Sequence, residues 1–141
     1  MMTTTTTTAP ARPDIILAAT DAERLSALAL QMEDAAPMAA SLLLDEIERA
    51  EIRADAAMPD DVVRMHSIVR FRDAAHGAER TVLLVYPAEA DISVGKISAL
   101  SLVGAGLIGL SASQEILWPD MDGRARMLKI MKVKQAARLD L

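Results

Sequence analysis

Around Met58-Pro59-Asp60-Asp61 the spacing of apolar residues changes period, and this divides the chain into a helical part and a strand-forming part. Before the change, Leu25, Leu28, Ala29 and Met32 recur at i, i+3, i+4 and i+7, one face of an α-helix. Thr20-Asp21-Ala22-Glu23 reads as a capping box at its start, Thr20 accepting from the Glu23 amide. Glu33-Asp34-Ala35-Ala36-Pro37 interrupts the pattern. Pro37 suits the first turn of a second helix, which Asp34 is placed to cap. Leu43, Leu44, Ile47 and Ala50 stripe that helix, with Asp45, Glu46, Glu48, Arg49 and Glu51 mostly on the other side. Met58-Pro59 stops it, because a residue before proline avoids helical angles. Two amphipathic helices with a short polar link pack antiparallel. The expectation is a short helical hairpin over 14–57, entered by Ile15-Ile16-Leu17 as a pairing strand or an apolar lead-in.

After the change, Val62 to Met65 and Ser67 to Arg72 read as β segments, and Asp73 to Gly77 as a turn. Thr81 to Tyr86 is an apolar run ended by Pro87, as expected of a central strand. Glu115 to Trp118 and Arg124 to Val133 flank Pro119-Asp120-Met121-Asp122-Gly123, a hairpin signal with Asp-Gly chemistry. Ser101 to Leu110 is short and Gly-rich, a single helix packed on the sheet. The fold class is therefore α+β, with an antiparallel sheet and one short helix over 58–135. The Thr3 to Thr8 tract and the prolines behind it have nothing to bury, so 1–13 reads as a disordered tail and 136–141 as a second tail.

Composition narrows the chemistry. There is no cysteine, which removes disulfides, thiolate zinc sites and a cysteine nucleophile. No basic region followed by an apolar stretch opens the chain, and Ala99 to Leu110 falls short of the roughly 20 apolar residues a membrane span needs. A cytoplasmic protein without membrane contact is expected. Charge is uneven: residues 1–61 carry 12 acids against 4 bases, a net of −8, and residues 62–141 carry 8 against 11, a net of +3. Such a split suits two parts that meet differently charged surfaces of a partner, although two unrelated solvated faces would produce it too.

One string imitates a catalytic motif. Gly104-Ala105-Gly106-Leu107-Ile108-Gly109 fits the G-x-G-x-x-G of dinucleotide sites, which must open a long helix in a βαβ unit. Only 32 residues follow Gly109 and they read as a β-hairpin, so the glycines are read as letting a helix lie close to a sheet. His66 and His76 have no further His or Cys at ligand spacing, and no metal or other cofactor is expected. Ser98, Ser101, Ser111 and Ser113 lack both a nucleophile elbow and a base. The tip acids Glu33 and Asp34 read first as ordinary turn residues.

Several segments together resemble a known family. Ile97-Ser98-Ala99-Leu100-Ser101-Leu102-Val103-Gly104 and the glycines behind it resemble the I-S-x-x-S-P-x-G-x-A-L-L-G stretch of the Gre transcript-cleavage factors' C-terminal domain. Val85-Tyr86-Pro87-Ala88, Met58-Pro59-Asp60-Asp61-Val62-Val63-Arg64-Met65-His66-Ser67 and Asp21-Ala22-Glu23-Arg24 are similar to the regulator of nucleoside diphosphate kinase (Rnk) family. The likeness covers residues 14–133. Leu102 stands where the Gre pattern has proline, Ser111 to Gln114 replaces a G-x-x-x-G-D-like turn, and His66 stands where asparagine is usual.

The resemblance implies an FKBP-like C-terminal domain and binding to RNA polymerase near its secondary channel. Ser98, Ser101, Leu102 and Val103 become the candidate docking loop, although Leu102 and Val103 serve equally well as core. In Gre factors a long hairpin carries tip carboxylates to the catalytic Mg²⁺. Here a first helix of about 13 residues reaches only some 20 Å, so Glu33 and Asp34 are expected to stop short and to support no cleavage. Two competing functions remain: direct regulation of nucleoside diphosphate kinase, and prolyl isomerisation. The second needs an aromatic-lined pocket, and the chain holds only Phe71, Tyr86 and Trp118. The expectation is a monomeric, non-enzymatic polymerase-binding regulator without sequence-specific nucleic-acid contacts.

Overall fold

A computed structural model describes residues 12–135. The expected tails lie outside the described residues, apart from Arg12 and Pro13, which are held against the body. Arg12 Nη1 meets Glu46 at 2.8 Å, and the Pro13 carbonyl accepts from Arg49.

The chain opens with strand β1 (Ile16–Ala18), then helices α1 (Ala19–Gln31) and α2 (Pro37–Arg49) and strand β2 (Glu51–Arg53). The hairpin is present, with Leu25, Ala29, Ala40 and Leu43 buried in its seam. Its boundaries differ from the sequence reading. The helix starts at Ala19, so Thr20 is no cap; its amide and hydroxyl instead bind Asp55, in a 3₁₀ turn after β2. The second helix ends at Arg49, because residues 51–53 pair in parallel with β1. Ile15 to Leu17 is thus a pairing element as well as a core contributor. Glu46 faces inward rather than to solvent. It is 1% exposed and is held by a two-pronged Arg49 and by Arg12.

The second part contains β3 (Ser67–Asp73), β4 (Ala78–Val85), β5 (Lys96–Ser98), the short helix α3 (Leu102–Leu107), β6 (Glu115–Pro119) and β7 (Ala125–Gln135). They form one five-stranded sheet in the order β5-β4-β3-β7-β6. Three of its four pairings are antiparallel, as expected; β5 joins β4 in parallel, which makes the sheet mixed. Val62 to Met65 is not a strand: Val62 makes a single bridge to Ser111, and the Met65 amide at the segment's end is bonded to Asp21 at the start of α1.

Each glycine of the G-x-G-x-x-G string has a packing reason. A Cβ on Gly104 would lie 2.0 Å from the Ser98 carbonyl oxygen, and one on Gly106 would lie 2.9 Å from the Trp118 ring. Gly109 has φ +84°, a left-handed conformation, and lies against Ile15 and Leu17. Trp118, fully buried, donates from Nε1 to the Leu102 carbonyl at 2.8 Å, tying α3 to β6. The Ile16 amide donates to the Gly109 carbonyl, and Leu17, Leu25 and Leu43 share a continuous core with Leu84, Ile116 and Trp118. The hairpin therefore lies against the sheet domain rather than standing free of it.

Candidate functional site

The loop from β5 into α3 is built by its two serines. The Ser98 hydroxyl accepts from the Leu100 amide at 2.9 Å. The Ser101 hydroxyl donates to the Ser98 carbonyl at 2.6 Å and accepts from the Gly104 amide at 3.0 Å, which makes Ser101 the N-cap of α3. Both hydroxyls are thus used within the loop, where they set its shape. Leu102 and Val103 follow on the first turn of α3, each half-buried.

Leu102 lies between two surface cavities. The larger, about 430 Å³, is lined by Ile92, Ile97, Leu102, Val103, Met121 and Arg126, among others. The smaller, about 310 Å³, lies between Pro37, Met38, Leu100, Leu102 and Met121. Leu102 and Met121 border both. Around them Met121 is 86% exposed, Ile92 79% and Met38 45%, so apolar side chains from three distant segments surround the loop. Large apolar groups clustered on a surface mark interaction sites, and methionine adapts to varied partners. Met121, Met38 and Ile92 were missed by sequence reasoning. One signal was available, since Met121 is an apolar residue at the centre of an otherwise polar Pro119-to-Gly123 turn.

The hairpin tip comes to the same place. Glu33 and Asp34 are exposed in the turn between α1 and α2, and Asp34 does not cap α2, whose cap position is Ala36 with no side-chain bond. Ala36 and Ala39 line the smaller cavity together with Leu102. The end of the turn that leads into α2 therefore borders the loop, and Glu33 and Asp34 precede it by two to three residues.

Arg126 gives the larger cavity a polar element. Its Nη2 lies 3.4 Å from the buried Asp73 carboxylate, while Nε and Nη1 are buried with no hydrogen-bond partner. Such orphaned donors are costly in an interior. None of the three aromatics lines either cavity: Phe71 and Trp118 are fully buried, and Tyr86 packs under Arg24 with His66 edge-on. The cradle that prolyl isomerisation needs is thus missing from both cavities.

His66 serves geometry. His66 adopts φ +70°, the left-handed region in which asparagine is the favoured non-glycine residue, and its Nε2 pairs with Glu89 at 2.9 Å. His76 lies on the rim of the larger cavity. Among the described residues no three His, Cys, Asp or Glu side chains converge as a metal site would require. No helix among them is long and apolar enough to cross a membrane.

At the base of the hairpin, Asp21 accepts from the Met65 amide at 3.2 Å, with Arg64 Nε at 4.0 Å. Burial pushes its carboxyl above the ordinary range, outweighing the amide and the arginine. A carboxyl whose pKa is raised by folding weakens the fold when ionised, and the effect fades as pH falls through that raised value. Asp21→Asn keeps an acceptor for the Met65 amide, so it should melt higher than the parent at pH 7, with the gap closing in acid. Thermal melts across pH check this; an equal or lower Tm at pH 7 contradicts it.

Comparison with known proteins places the chain. Residues 58–135 match the model of the transcription elongation factor GreA/GreB C-terminal domain, and residues 13–52 match the Rnk N-terminus. The chain is 37% identical over 123 residues to the regulator of nucleoside diphosphate kinase of Escherichia coli (strain K12), covering 87% of this chain and 90% of that protein. It is 40% identical over 83 residues to the transcription elongation factor GreA of Christiangramia forsetii, covering 54% of this chain and 52% of the relative. A solved prokaryotic transcription elongation factor GreA/GreB from Nitrosomonas europaea is similar at 36% identity and a TM-score of 0.67, covering 87% of this chain and 99% of that one.

Proposed function

The chain belongs to the GreA/GreB C-terminal-domain family, in its Rnk branch, and from that premise we propose that it docks on bacterial RNA polymerase near the secondary channel without stimulating transcript cleavage. It is a Gre-like transcription regulator. In this reading residues 58–135 carry the docking surface, residues 14–57 form the appended hairpin, and the protein acts as a cytoplasmic monomer that needs no cofactor. The observation that carries it is the apolar surface of Leu102, Met121, Met38 and Ile92 around a loop shaped by Ser98 and Ser101. Val103 extends this surface into the larger cavity, which Ile92, Met121 and Arg126 also line.

The tip acids support docking without cleavage. A 13-residue helix spans about 20 Å, and the turn behind it ends at Ala36, which borders the docking surface. Carboxylates carried on so short an arm do not reach a metal inside the channel, where ligation requires about 2.1 Å.

The test is a pull-down with purified core polymerase and purified nucleoside diphosphate kinase as competing baits, followed by a backtracked elongation complex. Polymerase should be retained and displaced by a Gre factor, with no cleavage above background. Retention of the kinase alone favours the second reading, direct regulation of that enzyme, which the name of the Escherichia coli relative suggests. Cleavage that disappears in Glu33→Ala/Asp34→Ala would make the tip acids catalytic.

A further inference from the structure

The surplus of bases in the second half of the chain is gathered on one face. Strand register places Lys96, Arg70, Arg72, Lys129, Lys132 and Lys134 on the outer side of the five-stranded sheet, away from α3 and the core. The inward positions of β3 alternate with them: Val69, Phe71 and Asp73 are buried, while Ile68, Arg70 and Arg72 are exposed. Three carboxylates share the outer face. Glu79 is held by Arg70 at 2.6 Å and Arg72 at 2.9 Å, Glu115 pairs across from Lys129, and Asp91 bridges opposite Lys96 at the edge. Six bases against three acids thus stand on one face of a protein whose net charge is −5.

The placement works against the fold. Arg70 is directly opposite Lys132 and Arg72 directly opposite Lys129, and like charges in opposing positions repel across a sheet. Among the described residues none of the four lysines has a carboxylate within ion-pair distance. Positions two apart on a strand recur at about 7 Å and neighbouring strands lie about 4.8 Å apart, so the cations stand in adjacent rows, with one bulge between Lys129 and Lys132. Ile68, Arg70, Thr81, Lys132 and Lys134 line a shallow groove of about 240 Å³ within it.

We infer that this outer sheet face binds the phosphate backbone of double-stranded nucleic acid, without reading sequence. An acidic protein surface is the less suitable partner, because protein interfaces are depleted in lysine and anchored by aromatics and free arginines. This face has four lysines and no aromatic, and both arginines are engaged by Glu79. The missing aromatics also argue against a single strand, whose bases need stacking platforms. Flexible lysines in adjacent rows suit a repeating polyanion, from which binding releases condensed counterions. The face lies on the far side of the sheet from the docking loop, so both surfaces remain available together.

The test uses the full chain and fluorescence anisotropy with a short labelled DNA duplex of arbitrary sequence at low ionic strength. A single strand of equal length and poly-glutamate form the comparison arms. The duplex should bind in a salt-dependent manner and best of the three. Lys129→Gln/Lys132→Gln/Lys134→Gln should weaken binding at least about tenfold and flatten the log–log salt slope by about 0.9 for each phosphate that the variant no longer neutralises. Circular dichroism verifies that the variant is folded, and the milder Lys132→Gln/Lys134→Gln replaces it if it is not. No duplex binding at low salt, unchanged binding by a folded variant, or equal or tighter binding of the single strand or poly-glutamate would each overturn the inference. Core-polymerase retention is measured in parallel, so loss of docking and loss of duplex binding are told apart.

Discussion

Gly104→Ala should be among the most destabilising substitutions in the chain. The added Cβ would fall 2.0 Å from the Ser98 carbonyl oxygen, 2.9 Å from its carbon and 3.0 Å from the Ala99 Cα. All three atoms are backbone, so no rotamer change relieves the overlap. The backbone itself is constrained: β5 pairs with β4 through Ser98, and the Ala99 amide donates to the Val85 carbonyl at 2.9 Å. On the other side α3 is tied down through the Trp118 bond to Leu102 and cannot retreat without opening the core around Trp118. The cost belongs with the largest single-substitution effects, about 4 kcal/mol or more, against a total stability of about 5–15 kcal/mol. Gly123→Ala is the control. Its φ of +83° makes alanine strained, but nothing lies within 4 Å, so about 1–2 kcal/mol is expected. Urea unfolding followed by circular dichroism compares them. A Gly104→Ala protein within about 1 kcal/mol of the parent would mean that α3 does not lie this close to β5.

Leu102→Asp combined with Met121→Asp should remove binding to core polymerase while the fold survives. Met121 is 86% exposed in a turn and Leu102 is half-buried at the mouth of two cavities, so neither aspartate is forced into the sealed core. The backbone bonds around the loop use the Leu102 carbonyl and the two serine hydroxyls, which both substitutions leave in place. In a complex these positions would be desolvated, where an unpaired carboxylate is costly. A loss of at least about 100-fold in affinity is expected, close to 3 kcal/mol. Ile68→Asp, on the opposite face of the sheet, should bind polymerase as the parent does. Surface-captured polymerase provides the readout, and parent-like affinity in a folded double variant would move the docking surface elsewhere.

The plan of the fold is legible wherever one local period governs. The i, i+3, i+4, i+7 stripe of Leu25 to Met32 reports α1, and the alternation Val69, Arg70, Phe71, Arg72 reports β3. The dinucleotide-like string is a packing device, as its context in the sequence indicates, since its glycines meet Ser98, Trp118 and Ile15. The capping box at Thr20 misleads because Asp55, 35 residues on, competes for the same hydroxyl and amide. Glu46 misleads because a polar residue on a helix is ordinarily solvated; only Arg49 beside it and Arg12 from a distant segment make burial tolerable.

Period and turn chemistry by themselves determined that this chain is a helical hairpin followed by a sheet with one short helix, because φ and ψ preferences and side-chain periodicity are local properties. Apart from the β6–β7 hairpin that its Asp-Gly turn announces, which strands pair, and in which direction, was decided by tertiary structure. The parallel pairing of β1 with β2 and of β5 with β4 depends on where a long excursion returns to the core, and no window of sequence encodes that. The same holds for the two surfaces of functional interest. Leu102 reaches Met121 across 19 residues and Met38 across 64, and Arg70 faces Lys132 only because β3 and β7 take one register out of many. A one-residue slip of β7 would turn Lys132 and Lys134 into the core and Val133 out to solvent, and burial of Val69, Phe71, Leu128 and Ile130 on the inner face holds the register that forbids it.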